Sequence, residues 1–210
     1  GLWHLSDTCR SALPGHSGRR SMHFGLDDSC DFQTGTPVEG AVTTLPISVD
    51  AGTAALQFSY FLGTERGFTA AQGHPRANVA LYDIASVFVS VNGGVFELVA
   101  VNDNDIPSAQ QLIDGSGAWQ TASIDITSMF DEEVPGTPSI LEVRFHFTSA
   151  DSALNNFDGF YVDDVSVSGA NVSVALPDRV VVPMPLLALL TLAVLLIFGG
   201  WWLSLRRQPG

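Results

Sequence analysis

The sequence contains no lysine. Its nine basic residues are all arginine, and they face 22 Asp plus Glu, a formal net charge of -13 over 210 residues. A nucleic-acid binder needs a basic face to neutralise phosphates, and nine scattered arginines do not build one. Charge of either sign is scarce, at 15% of residues, whereas apolar residues reach 46%. A disordered acidic chain is thereby excluded, because such a chain lacks the apolar side chains for a core. No His-Glu-x-x-His stretch occurs, so a zinc peptidase of that type is excluded. Gly15-His16-Ser17-Gly18 does not fit the Gly-x-Ser-x-Gly elbow of serine hydrolases. The histidines at 4, 16, 23, 74 and 146 are dispersed, as structural histidines are. These absences point away from an enzyme.

The mean hydropathy is nevertheless positive, +0.24, although the pI is near 4.4. Acid and apolar residues must then occupy different stretches. The apolar stretch is C-terminal: Leu186 to Leu205 carries no charge. About twenty helical residues span about 30 Å, the thickness of a bilayer core. Trp201 and Trp202 sit near its end, where indole rings favour the membrane interface, and Arg206 and Arg207 follow. Two arginines at that end place it in the cytoplasm by the positive-inside bias. Residues 1–179 hold all 22 acids against seven arginines, so the acidic part is expected outside. The chain starts at Gly1 without a basic-then-apolar leader, and the expectation is a removed signal peptide or a fragment.

Residues 1–168 read as β throughout. Ala55 to Phe61, Ser86 to Val91 and Leu141 to Phe147 alternate apolar and polar side chains with a period of two. Asn92-Gly93-Gly94 between two such runs signals a hairpin. Further strands are expected at 41–47, 120–126 and 160–167, with Trp3 and Met22 to Phe24 starting the sheet. Many short strands with Gly, Asp, Asn and Pro between them predict an all-β antiparallel β-sandwich or jelly roll, followed by a single C-terminal transmembrane helix. The organisation is then a β-sandwich over 1–168, a tether over 169–182, a membrane segment over 183–207 and a tail over 208–210. Cys9 and Cys30 lie in the exported part, where a disulfide closing about 20 residues is favoured over two free thiols.

Two resemblances follow from particular residues. Val180-Val181-Val182-Pro183-Met184-Pro185, then the apolar run, then Arg206-Arg207, resembles the C-terminal sorting signals of exosortase systems, the PEP-CTERM and IPTL-CTERM class. The Pro-Glu-Pro or Ile-Pro-Thr-Leu of that class is absent; Pro183 and Pro185 carry the likeness. It implies an exosortase-type processing enzyme as partner and cleavage near Pro183; a permanent single-span anchor is the alternative. The second is carried by Gly1-Leu2-Trp3-His4, Ser21-Met22-His23-Phe24-Gly25, Leu56 to Leu62, Trp119, Arg144 to Phe147 and Asn156-Phe157-Asp158-Gly159-Phe160-Tyr161-Val162-Asp163-Asp164-Val165. This order is similar to MAM-like jelly-roll modules of bacterial surface proteins, found beside immune inhibitor A-type peptidases and in choice-of-anchor proteins. It implies a noncatalytic adhesion, recognition or matrix-assembly module. A carbohydrate-binding module, with Trp3 and Trp119 as sugar platform, is the alternative, and an accessory domain of a secreted hydrolase the next; the ligand itself, glycan or protein, is not legible.

Jelly rolls of this kind also imply a structural calcium. Calcium takes six to eight hard oxygens from several loops. Asp163 or Asp164, framed by apolar residues, and Glu65 and Asp83, flanking the 63–78 loop, are the candidate ligands. Salt bridges to Arg144 or Arg66 are the competing use of these acids. Asp163 and Asp164 are adjacent, so a regular strand points them to opposite faces. Asn102-Asp103-Asn104-Asp105 lacks the glycine and glutamate of an EF-hand and reads as an exposed turn closed by Pro107.

Overall fold

The computed structural model describes residues 1–49, 54–66, 83–130, 137–168 and 172–174, all within a compact unit, Gly1–Ala175. Among the described residues twelve strands form: β1 Trp3–Ser6, β2 Ser21–Phe24, β3 Glu39–Thr43, β4 Ile47–Val49, β5 Ala55–Gly63, β6 Ile84–Val91, β7 Glu97–Val101, β8 Gln110–Gln111, β9 Gln120–Asp125, β10 Ser139–Thr148, β11 Gly159–Ser168 and β12 Val172–Val174. They make two sheets of a β-sandwich. One has the order β1-β2-β11-β5-β9; the other runs β12-β4-β10-β6-β7-β8, with β3 also paired to β10. Pairing is antiparallel throughout except between β7 and β8.

Alternation explains the layering. Along β10, Leu141, Val143, Phe145 and Phe147 are buried while Ile140, Glu142, Arg144 and His146 stay half-exposed. A strand with one face on a core and one toward water has this pattern. Facing them from the other sheet are Leu56, Phe58, Leu62, Phe160 and Val162, in one continuous core. The Asn92-Gly93 hairpin joins β6 to β7, with φ of +52° and +72°, the two left-handed residues a type I′ turn requires.

The run expected as one strand at 41–47 is two. β3 ends at Thr43 and β4 begins at Ile47, both on the same edge of β10. Pro46 lies in the gap and has no N–H for the ladder. Thr44 bridges the break, its N–H donating to the Val143 carbonyl at 2.9 Å.

The outer face of the first sheet is also covered. Phe61 on β5 and Tyr161 on β11 are buried there with Trp119, and Cys9 packs on them. Residues 9–19 form the roof. The Cys9–Cys30 disulfide, with Cα atoms 5.6 Å apart, ties this segment to the loop after β2. Among the described residues no helix is long and apolar enough to cross a membrane. The expected membrane segment, with Pro183, Pro185, Trp201, Trp202, Arg206 and Arg207, lies outside the described residues.

Candidate functional site

Three groups of chemically capable side chains stand out. The first is at the sandwich end where β5 and β10 stop and β6 and β11 start. Asp83 precedes β6 and is 2% exposed. Its Oδ2 accepts the Glu65 N–H at 3.3 Å. Burial, then repulsion from Glu65, Asp114 and Asp151, pushes its acid up to about 7. Burial and Asp151 also raise Glu65. Asp114 is tied down, accepting from the Thr64 N–H, the Thr64 hydroxyl and Asn102 Nδ2. Asn102 further donates to the Asp83 carbonyl and accepts the Ala85 N–H. Glu65 and Asp83 were expected as candidates; Asp114 and Asp151 were not, because loop residues far apart in sequence show no spacing signal. Among the described residues, no three carboxylate oxygens of this end converge within 4.8 Å. Calcium here would draw on hard oxygens already near a buried, repelled acid, and the donor type fits that ion.

Asn102 and Asp103 correct one expectation. Each is 4% exposed, so the 102–105 stretch is not simply an exposed turn. Asp103 Oδ1 takes Arg66 Nη2 at 2.7 Å, a buried pair, and caps the Asp105 N–H. Arg66 is therefore committed to Asp103, and Arg144 lies over the Phe96 ring at 3.6 Å.

The second group holds Asp163 and Asp164, away from Glu65 and Asp83. The register between β11 and β5 shifts between Asp163 and Ser166, and Asp164 has φ of +53°. That bulge breaks the alternation, so the two carboxylates do not serve opposite faces. Both reach the same segment: Asp163 Oδ2 pairs with His16 Nδ1 at 2.7 Å, and Asp164 Oδ2 accepts the Ser17 N–H at 2.9 Å and the Ser59 hydroxyl at 3.0 Å. Hydrogen bonds from Ser17, with burial opposing and Ser59 adding, lower Asp164. His16 Nε2 faces the Ser11 carbonyl at 2.9 Å, so it has no hydroxyl to activate. Its ring lies 4.2 Å from the Trp119 ring. A Cβ at Gly15 would meet Trp119 at 2.5 Å, which is why glycine stands there. This group fastens the roof to the sheet.

The third group was not expected. His4 on β1 and His23 on β2 are cross-strand partners, and Asp27 follows β2. His4 Nε2 lies 2.9 Å and His23 Nδ1 3.4 Å from Asp27 Oδ1, which also accepts the Ser6 hydroxyl at 2.7 Å. Burial alone would raise Asp27, but bonds from His4 and Ser6 bring it down to about 2. Cross-strand register, invisible in the spacing 4, 23, 27, assembles the trio.

His23 stacks flat on Tyr161, centroids 3.9 Å apart. The Tyr161 hydroxyl is buried and has no hydrogen-bond partner among the described residues. Burial, then Asp158, raises its acid. Leaving a buried hydroxyl unpaired costs about 1–3 kcal/mol. Tyr161→Phe is thus expected to stabilise the protein by about 1 kcal/mol in a urea melt; destabilisation would show that the hydroxyl is satisfied in solution. Next to it Arg10 Nε donates to Asp158 Oδ1 at 2.6 Å, and its guanidinium lies 5.1 Å from the Phe61 centroid.

The indoles proposed as a sugar platform are built into the fold. Trp119 is 8% exposed and donates to the Arg10 carbonyl. Trp3 is half-buried, edge-on to Phe24 and Phe160, and donates to the Gly40 carbonyl. Of the two, Trp119 is the one enclosed by the fold, while Trp3 stays half-buried.

No family model, curated protein or solved structure matches the chain.

Proposed function

We propose that the chain is an exported, noncatalytic adhesion or recognition module of the MAM-like jelly-roll kind. In this reading the sandwich faces outward and the apolar segment 186–205 holds or sorts it at the membrane. The observation that carries export is the Cys9–Cys30 disulfide, since such bonds persist in oxidising compartments. The fates of the polar groups support a noncatalytic role. His16, Asp163, Asp164, Arg66 and Asp103 pair with one another or with the fold, Asp164 with the Ser17 N–H and the Ser59 hydroxyl. A structural calcium at Glu65 and Asp83, with Asp114 and Asp151 beside them, belongs to the same reading. These residues would bind it, and the ion would supply positive charge that relieves their repulsion.

The test uses the fluorescently labelled full-length chain in detergent micelles. It is applied to a broad glycan array and a panel of extracellular matrix proteins, in about 1 mM calcium and in EDTA. Calcium-dependent retention on a discrete ligand set is the expected result. Turnover of any arrayed glycan or protein would overturn the noncatalytic assignment. Mass spectrometry of the surface form separates sorting from anchoring: a C-terminus near Pro183 means cleavage, one beyond Leu186 retention.

A further inference from the structure

We propose that His4 Nε2, His23 Nδ1 and the Asp27 carboxylate hold one divalent ion of the zinc class, clamping the edge strand β1 to β2 and the disulfide loop. This site is separate from the calcium-type end and takes a different kind of metal. Among the described residues it is the one place where three such ligand atoms lie within 4.8 Å of one another. Zinc–nitrogen and zinc–oxygen bonds near 2 Å place neighbouring ligands roughly 3–3.5 Å apart. The observed 2.9 and 3.4 Å are edges of that size.

The second nitrogens supply the independent argument. His4 Nδ1 lies 2.9 Å from the Leu2 carbonyl, and His23 Nε2 lies 3.2 Å from the Asp158 carbonyl. A carbonyl only accepts, so each of those nitrogens carries its proton. In the neutral rings, His4 Nε2 and His23 Nδ1 are then bare lone pairs, and both are aimed at a carboxylate oxygen. Two lone pairs facing an anion repel. Protons alone cure this only by charging both rings, whose centroids are 5.2 Å apart, with His23 fully buried. One divalent cation among the three atoms cures it with both rings neutral. Imidazoles that donate their far N–H to a backbone carbonyl are also the usual outer-sphere arrangement of metal-ligating histidines. Two imidazoles and one carboxylate suit zinc and its transition-metal neighbours, not calcium.

The surroundings hold the set in place. The His23 ring is fixed between Tyr161 and Gly25, where a Cβ would come within 2.2 Å of His23 Nε2. Cys9, in the disulfide, contacts the Asp27 carbonyl at 3.4 Å. His4 and Asp27 are each about one-third exposed, at 36% and 35%, so an ion can arrive and water can complete its shell.

The test is isothermal titration of zinc chloride into the tag-free, oxidised full-length chain in micelles, with calcium saturating throughout. Calcium saturation keeps the outcome independent of the acidic end. One equivalent is expected to bind and raise the melting temperature. His4→Ala and Asp27→Asn should each weaken binding about tenfold or more. His146→Ala, at a surface histidine paired with Glu39, should leave it unchanged. Nitrogen-15 NMR of the unmutated chain gives a readout that needs no variant. Zinc should move His4 Nε2 and His23 Nδ1 and leave the other nitrogens of both rings protonated. Absence of saturable binding, equal binding by His4→Ala, or zinc shifts confined to other histidines would each overturn the proposal.

Discussion

In calcium-free buffer, the buried Asp83 is expected to cost the protein stability as pH rises from about 4 to about 7, and Asp83→Asn is expected to remove the larger part of that loss. The ordinary carboxyl value is 3.8, and burial with repulsion from Glu65, Asp114 and Asp151 lifts Asp83 to about 7. Below pH 4 folded and unfolded chains both hold the proton. Between the two values the unfolded chain has released it and the folded chain has not, so each rising pH unit favours unfolding. At 1.36 kcal/mol per unit the whole window amounts to on the order of 4 kcal/mol, then levels off. For a domain of this size that is about 10 °C in melting temperature. Asparagine can still accept the Glu65 N–H and carries no charge to repel. Calorimetry at pH 5 and pH 8 on both proteins reads the difference; parallel pH dependences would sink it. If the proposed calcium binds at this end, calcium at 100 times its Kd would add about 2.7 kcal/mol to the wild-type chain, and the Asn variant should gain far less.

Reducing the Cys9–Cys30 bond should cost about 3 kcal/mol, as expected for releasing a loop of about 20 residues. The melting temperature would fall by about 6–12 °C. The damage has a direction. Residues 9–19 roof Phe61, Tyr161 and Trp119, so amides of β2 and β11 should exchange faster once the roof is untied. Melting with and without reductant, with thiol release checked by mass, measures it. An unchanged melting temperature with both thiols free would show that His16, Asp163 and Asp164 hold the roof unaided.

Legibility followed the reach of each interaction. The runs 55–61, 86–91 and 141–147 were readable because alternation is local and one face of each strand is buried; they lie within β5, β6 and β10. The Asn92-Gly93 turn was readable because few residues accept two positive φ values. The break at Pro46 was visible in the sequence but lost inside an apolar run. The bulge at Asp163–Ser166 was not visible, since nothing in a strand sequence announces a register shift. Of the calcium candidates, Glu65 and Asp83 share one end of the sandwich while Asp163 and Asp164 serve another segment. The histidine pair was hidden more deeply. Position 4 meets position 23 only through β1–β2 register, and Asp27 joins through a loop tied by the disulfide.

The strand order of the first sheet has a kinetic consequence. β2 sits between β1 and β11, with Phe24 opposite Phe160. β2 therefore waits for almost the last strand before its second edge is paired. Pairing across so long a separation must meet its loop-closure entropy before any contact forms, so folding is expected to be slow, in the range of milliseconds to seconds. The Cys9–Cys30 loop and the Asn92-Gly93 hairpin are local and can close early. A chain emerging N-terminus first would thus leave the second edge of β2 unpaired until β11 had emerged.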